Sequence, residues 1–164
     1  MAFSPPCTGL AGFSDLNKIR NPVGWWKSAA VSVNLGYLAG MVAAKQLREG
    51  RHFICENPAG SLLYNLPPWQ ELDGDPRIHR TIMHQCAAGL RDQESQLLIK
   101  KPTEFWASDY CLIAGLSRMQ CKCTESHAKL EGTYRGVAKT HLARVWPWKL
   151  ASTIANGISA LIQQ

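Results

Sequence analysis

Hydrophobic and polar positions change period several times along this chain, and each change marks a boundary between elements. From about Gly24 to Glu49, apolar residues recur at Ala30, Val33, Tyr37, Met41 and Ala44. That spacing of about 3.6 residues predicts one long helix with those five on its buried face, stopped at Gly50. Positions 2 to 4 read as the last residues of a strand, because Pro5-Pro6 ends pairing and forces an extended exit. A polar, Gly- and Asn-rich loop is expected to follow, through Asn21-Pro22. The segment from Arg51 to Glu56 reads as a short strand, His52-Phe53-Ile54-Cys55, ended by Asn57-Pro58.

Ser61 to Leu72 has a helical or 3₁₀ pattern broken at Pro67-Pro68. Ile78 to Gln85 alternates in the manner of a strand, and Thr103 to Ser108 is a fourth strand, preceded by a loop that includes Lys100-Lys101-Pro102. Tyr110 to Met119 is expected to be helical and Cys121 to Gly136 irregular. Leu142 to Leu161 is expected to be helical except at Pro147, with Ile154, Ile158 and Leu161 on one face. Strand, helix, strand, helix, strand, then a strand with no helix before it predicts an α/β fold with a mostly parallel sheet and one antiparallel member. No repeat or linker divides residues 1–164, so one domain is the simplest organisation.

Composition narrows the class. A hydrophobic fraction of 46% with 18% charged residues belongs to packed globular proteins and excludes disordered or fibrous chains. The mostly apolar stretch from Ala29 to Leu47 is interrupted by Asn34, Lys45 and Gln46, which argues for a buried helix and against a membrane span. The N-terminus lacks a basic region followed by an apolar run, so an intracellular setting, nuclear or cytoplasmic, is expected, with six reduced cysteines. A net charge of +6 favours a polyanionic partner.

Functional groups in open α/β sheets gather beyond the carboxyl ends of strands. Two signals fall there. Ser4-Pro5-Pro6-Cys7-Thr8 places a thiol on a stiff strand exit, and Glu56-Asn57-Pro58 places a carboxyl and an amide at the end of the next strand. If those strands are neighbours, about 5 Å apart, Cys7 and Glu56 face one pocket. The plainer readings are a small thiol packed at a turn and a carboxylate at a helix entry, where Asn57 or Ser61 would cap equally well.

Pro5-Pro6-Cys7, then Phe13-Ser14, a helix, and Arg51-His52-Phe53-Ile54-Cys55-Glu56-Asn57 resemble the catalytic segment of DNA cytosine-5 methyltransferases. The resemblance covers residues 4 to 58. It implies a partial Rossmann-like sheet of about four strands with flanking helices, and an antiparallel final strand that suits Ile78 to Gln85 followed by Thr103 to Ser108. It further implies that Cys7 attacks carbon 6 of a flipped cytosine in DNA and that Glu56 bonds and protonates nitrogen 3. Pro6 and Asn57 would shape the substrate pocket; the family's Gln-x-Arg-x-Arg segment has no clean counterpart here, and Lys100-Lys101 is only a placeholder for it among the substrate-binding residues. S-adenosylmethionine is the implied methyl donor. The family's glycine-rich cofactor turn precedes its cysteine, whereas six residues precede Cys7 here and no Gly-x-Gly turn follows a strand. The cofactor-binding residues are therefore unknown, and the expectation is a truncated or inactive catalytic half, or a subunit completed by another chain.

The rival is a non-catalytic nucleic-acid-binding or assembly module from a mobile-element polyprotein. Cys121-Lys122-Cys123 with His127 could bind zinc if Cys111 or His141 supplied a fourth ligand, but C-x-C closes a tetrahedron less readily than C-x₂₋₄-C. Ordinary loop residues are the better expectation there, and Cys55 and Cys86 are most simply core thiols. The tryptophans at 25, 26, 69, 106, 146 and 148 are expected mainly in the core, Trp25-Trp26 being the pair that could be exposed.

Overall fold

The computed structural model describes residues 1–12 and 14–164. Phe13, part of the resemblance above, lies outside the described residues. The chain forms two compact units: residues 1–80 with 104–110, and residues 81–103 with 111–164. The elements are β1 (Ala2–Phe3), α1 (Ser14–Arg20), α2 (Pro22–Arg48), β2 (Ile54–Pro58), α3 (Pro67–Gln70), β3 (His79–His84), β4 (Pro102–Ala107), α4 (Ala114–Ser117), β5 (Thr133–Tyr134), β6 (Val137–Ala138), α5 (Lys139–Leu142) and α6 (Trp148–Ile162). Short 3₁₀ turns cover Leu62–Asn65, Gln85–Ala88 and Tyr110–Leu112.

The fold is mixed α/β, with a four-stranded sheet ordered β1-β2-β4-β3. β1 and β2 are parallel, Ala2 opposite Ile54 and Phe3 opposite Cys55. Ser108, one residue past β4, donates its N–H to the carbonyl of Phe53, one residue before β2, at 3.1 Å. The end of β4 therefore meets the start of β2, and the two run antiparallel. At the other edge, Gln85 just after β3 donates its N–H to Lys100 O at 2.8 Å and its side-chain amide to Thr103 Oγ1 at 2.9 Å. β4 thus opposes both neighbours, the single reversed strand that the alternation predicts.

The first unit is organised around α2, and here the expected buried face is corrected. Ala30, Val33, Tyr37 and Met41 are exposed, whereas Ala29, Ser32, Gly36, Ala39, Gly40, Ala43, Ala44 and Leu47 are buried. Small side chains are required because the 3₁₀ turn and α3 approach closely. A Cβ on Gly36 would meet Leu63 Cδ1 at 2.7 Å, and one on Gly40 would meet Pro68 Cβ at 2.8 Å. Trp69 uses that closeness, its indole N–H donating to Gly36 O at 2.9 Å. Tyr64 stacks on Trp106 at 4.5 Å, and Trp69 meets both rings edge-on. Phe53, Cys55 and Leu63 complete this core.

Other boundaries shift for local reasons. The loop expected before α2 contains α1, with Asp15 in its first turn and Lys18 and Arg20 in its last, charges suited to the helix dipole. Asn21 caps α2 by accepting the Gly24 N–H at 3.0 Å, with Pro22 at the first helical position. Pro67-Pro68 opens α3 where a break is expected, because proline is tolerated in a first helical turn.

The second unit is more irregular. α6 packs on α4, with Leu150 and Ile154 buried, while Ile158 of the expected face is exposed. Gly157 lets this helix pass the Tyr110–Leu112 turn, since a Cβ there would meet Cys111 O at 2.8 Å. Across the end of the stretch expected to be irregular, β5 and, just beyond it, β6 form a hairpin whose central residues, Arg135 and Gly136, both have positive φ. No described helix is long and apolar enough to cross a membrane.

Candidate functional sites

The first candidate site is built where β1 ends against β2, a strand that begins at Ile54 and runs through Glu56 and Asn57 to Pro58 instead of stopping before Asn57. The register that pairs Phe3 with Cys55 brings Ser4 next to Glu56. Ser4 Oγ donates to Glu56 Oε2 at 2.7 Å, and Asn57 Nδ2 donates to Pro5 O at 3.0 Å. The Pro-Pro-Cys turn and the Glu-Asn strand end are therefore bonded to each other. Glu56 and Asn57 are buried, Pro5 is buried, Cys7 is half-buried and Pro6 is exposed.

The turn is also fixed from behind. Cys7 O accepts the N–H groups of Leu10 and Ala11, both at 2.9 Å. Gly9 lies so close to α2 that an added Cβ would fall 2.4 Å from Ala29 Cα. Leu10 O accepts from Leu62 N at 2.7 Å and from Ser61 Oγ at 3.2 Å, which joins the loops after the two strands. One polar atom remains unsatisfied: Asn57 Oδ1 is buried and finds no hydrogen-bond partner among the described residues. An unmet buried acceptor costs about 1–3 kcal/mol, so a donor arriving there would be favoured.

Lys100 and Lys101 belong to the second unit, Cys7 and Glu56 to the first. Lys100 is exposed. Lys101 donates its ammonium to Ala143 O at the end of α5, at 2.8 Å, a favourable place for a cation. Cys55 is a core thiol as expected; burial pushes it far above its ordinary pKa, which makes it inert. Trp69 and Trp106 are core residues, while Trp26 and Trp148 are exposed.

The second candidate site lies wholly in the second unit. Cys86, Cys121, Cys123 and His127 each point a ligand atom to one place, all within 4.8 Å of one another. Cys121 Sγ stands 3.5 Å from His127 Nε2. The neighbour that completes the group is Cys86, and neither Cys111 nor His141 belongs to it. Cys111 instead receives a hydrogen bond from Gln164 Nε2 at 2.7 Å. Cys86 is buried, as a core thiol should be, but its neighbours are other thiols. No local spacing signal could have found it, because it lies 35 residues before Cys121.

Two anchored stretches deliver these ligands. Cys86 sits in the 3₁₀ turn directly after β3, closed by Gly89 in the left-handed conformation. Met119 O accepts His84 N–H at 2.9 Å, Gln120 Nε2 donates to Ile82 O at 2.8 Å, and the Cys121 N–H donates to His84 Nδ1 at 3.2 Å. Ala128 N–H, next to His127, donates to Leu98 O at 2.9 Å. Burial and the adjoining Cys121 and Cys123 push the Cys86 thiol up to about 12. The Cys123 backbone N–H holds Cys121 below its ordinary value, assisted by Cys86, Cys123 and Lys100. Burial, then Lys100, lowers His84. An open cleft of about 520 Å³ adjoins Cys123 and carries Arg118, Lys122 and Lys149 on its walls.

No family model, no curated protein and no solved structure matches this chain.

Proposed function

We propose that the paired ends of β1 and β2 form a covalent-addition site of the DNA cytosine-5 methyltransferase kind, with Cys7 as nucleophile and Glu56 as acid. The carrying observation is the bonded pair of strand ends: parallel neighbours, Ser4 on Glu56 and Asn57 on Pro5. The reversed strand β4 and the flanking helices agree with the partial Rossmann-like sheet that the resemblance implies. In this reading the Cys7 thiolate adds to carbon 6 of an extruded cytosine. The sulfur–carbon bond forms as the 5,6 double bond opens, its electron pair moves toward carbon 5 and the ring, and Glu56 supplies a proton to nitrogen 3. Asn57 Oδ1 is the acceptor left for a donor on the base or for a water.

S-adenosylmethionine is the methyl donor of the family. The described residues do not fit it, because no glycine-rich turn follows a described strand in the way its binding requires. No methyl-transfer step is derived from this chain. A partner chain that completes the sheet and brings the cofactor belongs to the same proposal.

Addition without methyl donor still labilises the hydrogen on carbon 5, since the adduct takes a proton from water there before the thiol leaves. Cytosine-containing DNA incubated with the protein in deuterated water is expected to gain deuterium at carbon 5, by mass spectrometry. Cys7→Ser should abolish the gain and Glu56→Gln reduce it by about 10²–10⁴-fold. Folded protein that gives no exchange above a protein-free control sinks the reading. The rival, an idle site on a nucleic-acid-binding module, draws on the Arg118, Lys122 and Lys149 cleft. It predicts salt-dependent DNA binding that Cys7→Ser leaves unchanged.

A further inference from the structure

We infer that Cys86, Cys121, Cys123 and His127 form a structural zinc centre that fastens the loop after α4 to the end of β3. The donor set, three thiol sulfurs and one imidazole nitrogen, is that of closed tetrahedral zinc sites. The geometry agrees with it. With zinc–sulfur bonds of about 2.3 Å and zinc–nitrogen bonds of about 2.0–2.1 Å, a tetrahedron has sulfur–nitrogen edges of about 3.5 Å. Cys121 Sγ and His127 Nε2 are separated by 3.5 Å.

A disulfide does not account for the cluster. It would join two of the three sulfurs and leave both the third and His127 without a reason to converge, and no disulfide occurs among the described residues. The C-x-C spacing is no obstacle once Cys86 is included. Cys121 and Cys123 need supply only one edge, while Cys86 and His127 approach from separately anchored backbone. The loop also needs such a fastening, because no helix or strand forms between Cys121 and His127. Three thiolates on a divalent ion leave one net negative charge, and Lys100, which acts electrostatically on Cys121, offsets it. Four protein ligands fill the coordination sphere, so the centre holds structure and offers no open position for substrate.

This centre stands independently of the reading of Cys7 and Glu56. The test is metal content of the reduced full chain by mass spectrometry, followed by cobalt titration of the chelator-treated protein. One zinc per chain is expected, and cobalt should give the visible bands of a tetrahedral thiolate site. Cys86→Ser, Cys121→Ser and Cys123→Ser should each lower affinity by more than the ~10–100-fold that outer-shell changes cost. Cys111→Ser should retain the full equivalent, and His127→Cys, which keeps four ligands, should bind metal where His127→Ala does not. Should wild-type protein hold less than about a tenth of an equivalent and show no cobalt bands, the centre is overturned. Loss of metal in Cys111→Ser with retention in Cys86→Ser would equally refute the assigned ligand set.

Discussion

Glu56 and the Cys7 turn are neighbours because two parallel strands end together, whereas Cys86 and Cys121 are neighbours although 35 residues separate them. The first site is framed by ordinary sheet and helix packing: an aromatic core, a close helix contact and strand hydrogen bonds. The second site lies in a unit with buried apolar residues of its own, among them Leu90, Ile99, Leu116, Leu150 and Ile154, but the loop that carries three of its ligands has no buried residue from Cys121 to His127. A loop with so little side-chain surface buried needs another source of order, and metal ligands supply it where packing does not. The two units therefore should fail under different insults.

The largest expected effect separates them directly. Chelation, or Cys86→Ser, should remove about 2.7 kcal/mol of local stability if free metal had stood at a hundred times its dissociation constant. Hydrogen exchange should then accelerate across residues 119–128, with amides around Tyr64 and Trp106 unchanged. Uniform acceleration in both units would erase the distinction.

Next in size is a packing change in the first unit. Gly40→Ala puts a methyl 2.8 Å from Pro68 Cβ and 2.9 Å from Trp69 Nε1. A loss of about 1–3 kcal/mol in urea unfolding is expected, with metal content untouched. A neutral outcome would mean that the contact between α2 and α3 is loose.

How far these features could be read from the sequence follows the same division. The end of β1 is legible because Pro5-Pro6 follows it directly, and β1 and β2 are joined by helical chain, α1 and α2, as a parallel pair requires. The buried face of α2 was not legible. Periodicity singles out large apolar residues such as Val33 and Met41, but close helix contact selected Gly36, Gly40 and Ala43 in their place. The β5–β6 hairpin left a faint signal in Arg135-Gly136, two positions with positive φ, of which only the glycine is recognisable as a letter. Cys86 left none, since its partners are a matter of tertiary closure. Residues 4 to 58 carry the candidate nucleophile and its acid in recognisable order, whereas the fourth metal ligand is brought to its partners only by the fold.

The smallest expected effect is electrostatic and lies on the surface. Asp75 accepts from Arg77 at 2.8, 2.9 and 3.0 Å, and those bonds lower its pKa to about 2. A carboxyl depressed in the folded state stabilises it above the unfolded value of about 3.9 and loses that contribution as pH falls toward 2. Asp75→Asn should therefore melt slightly below wild type above about pH 4, with the difference fading toward pH 2, and Asp75 of the wild type should titrate near 2 by carboxyl NMR. A difference that grows as pH falls below about 4 would contradict the assignment.

Burial of Trp69 and Trp106 beside Tyr64, set against the 83% exposure of Trp148, gives the chain an optical asymmetry. Indole in an apolar cage emits at shorter wavelength than indole in water, so the blue edge of the emission spectrum originates in the first unit. Denaturation followed at that edge reports the aromatic cage alone, and a red-shifted baseline that never moves would belong to tryptophans already wet.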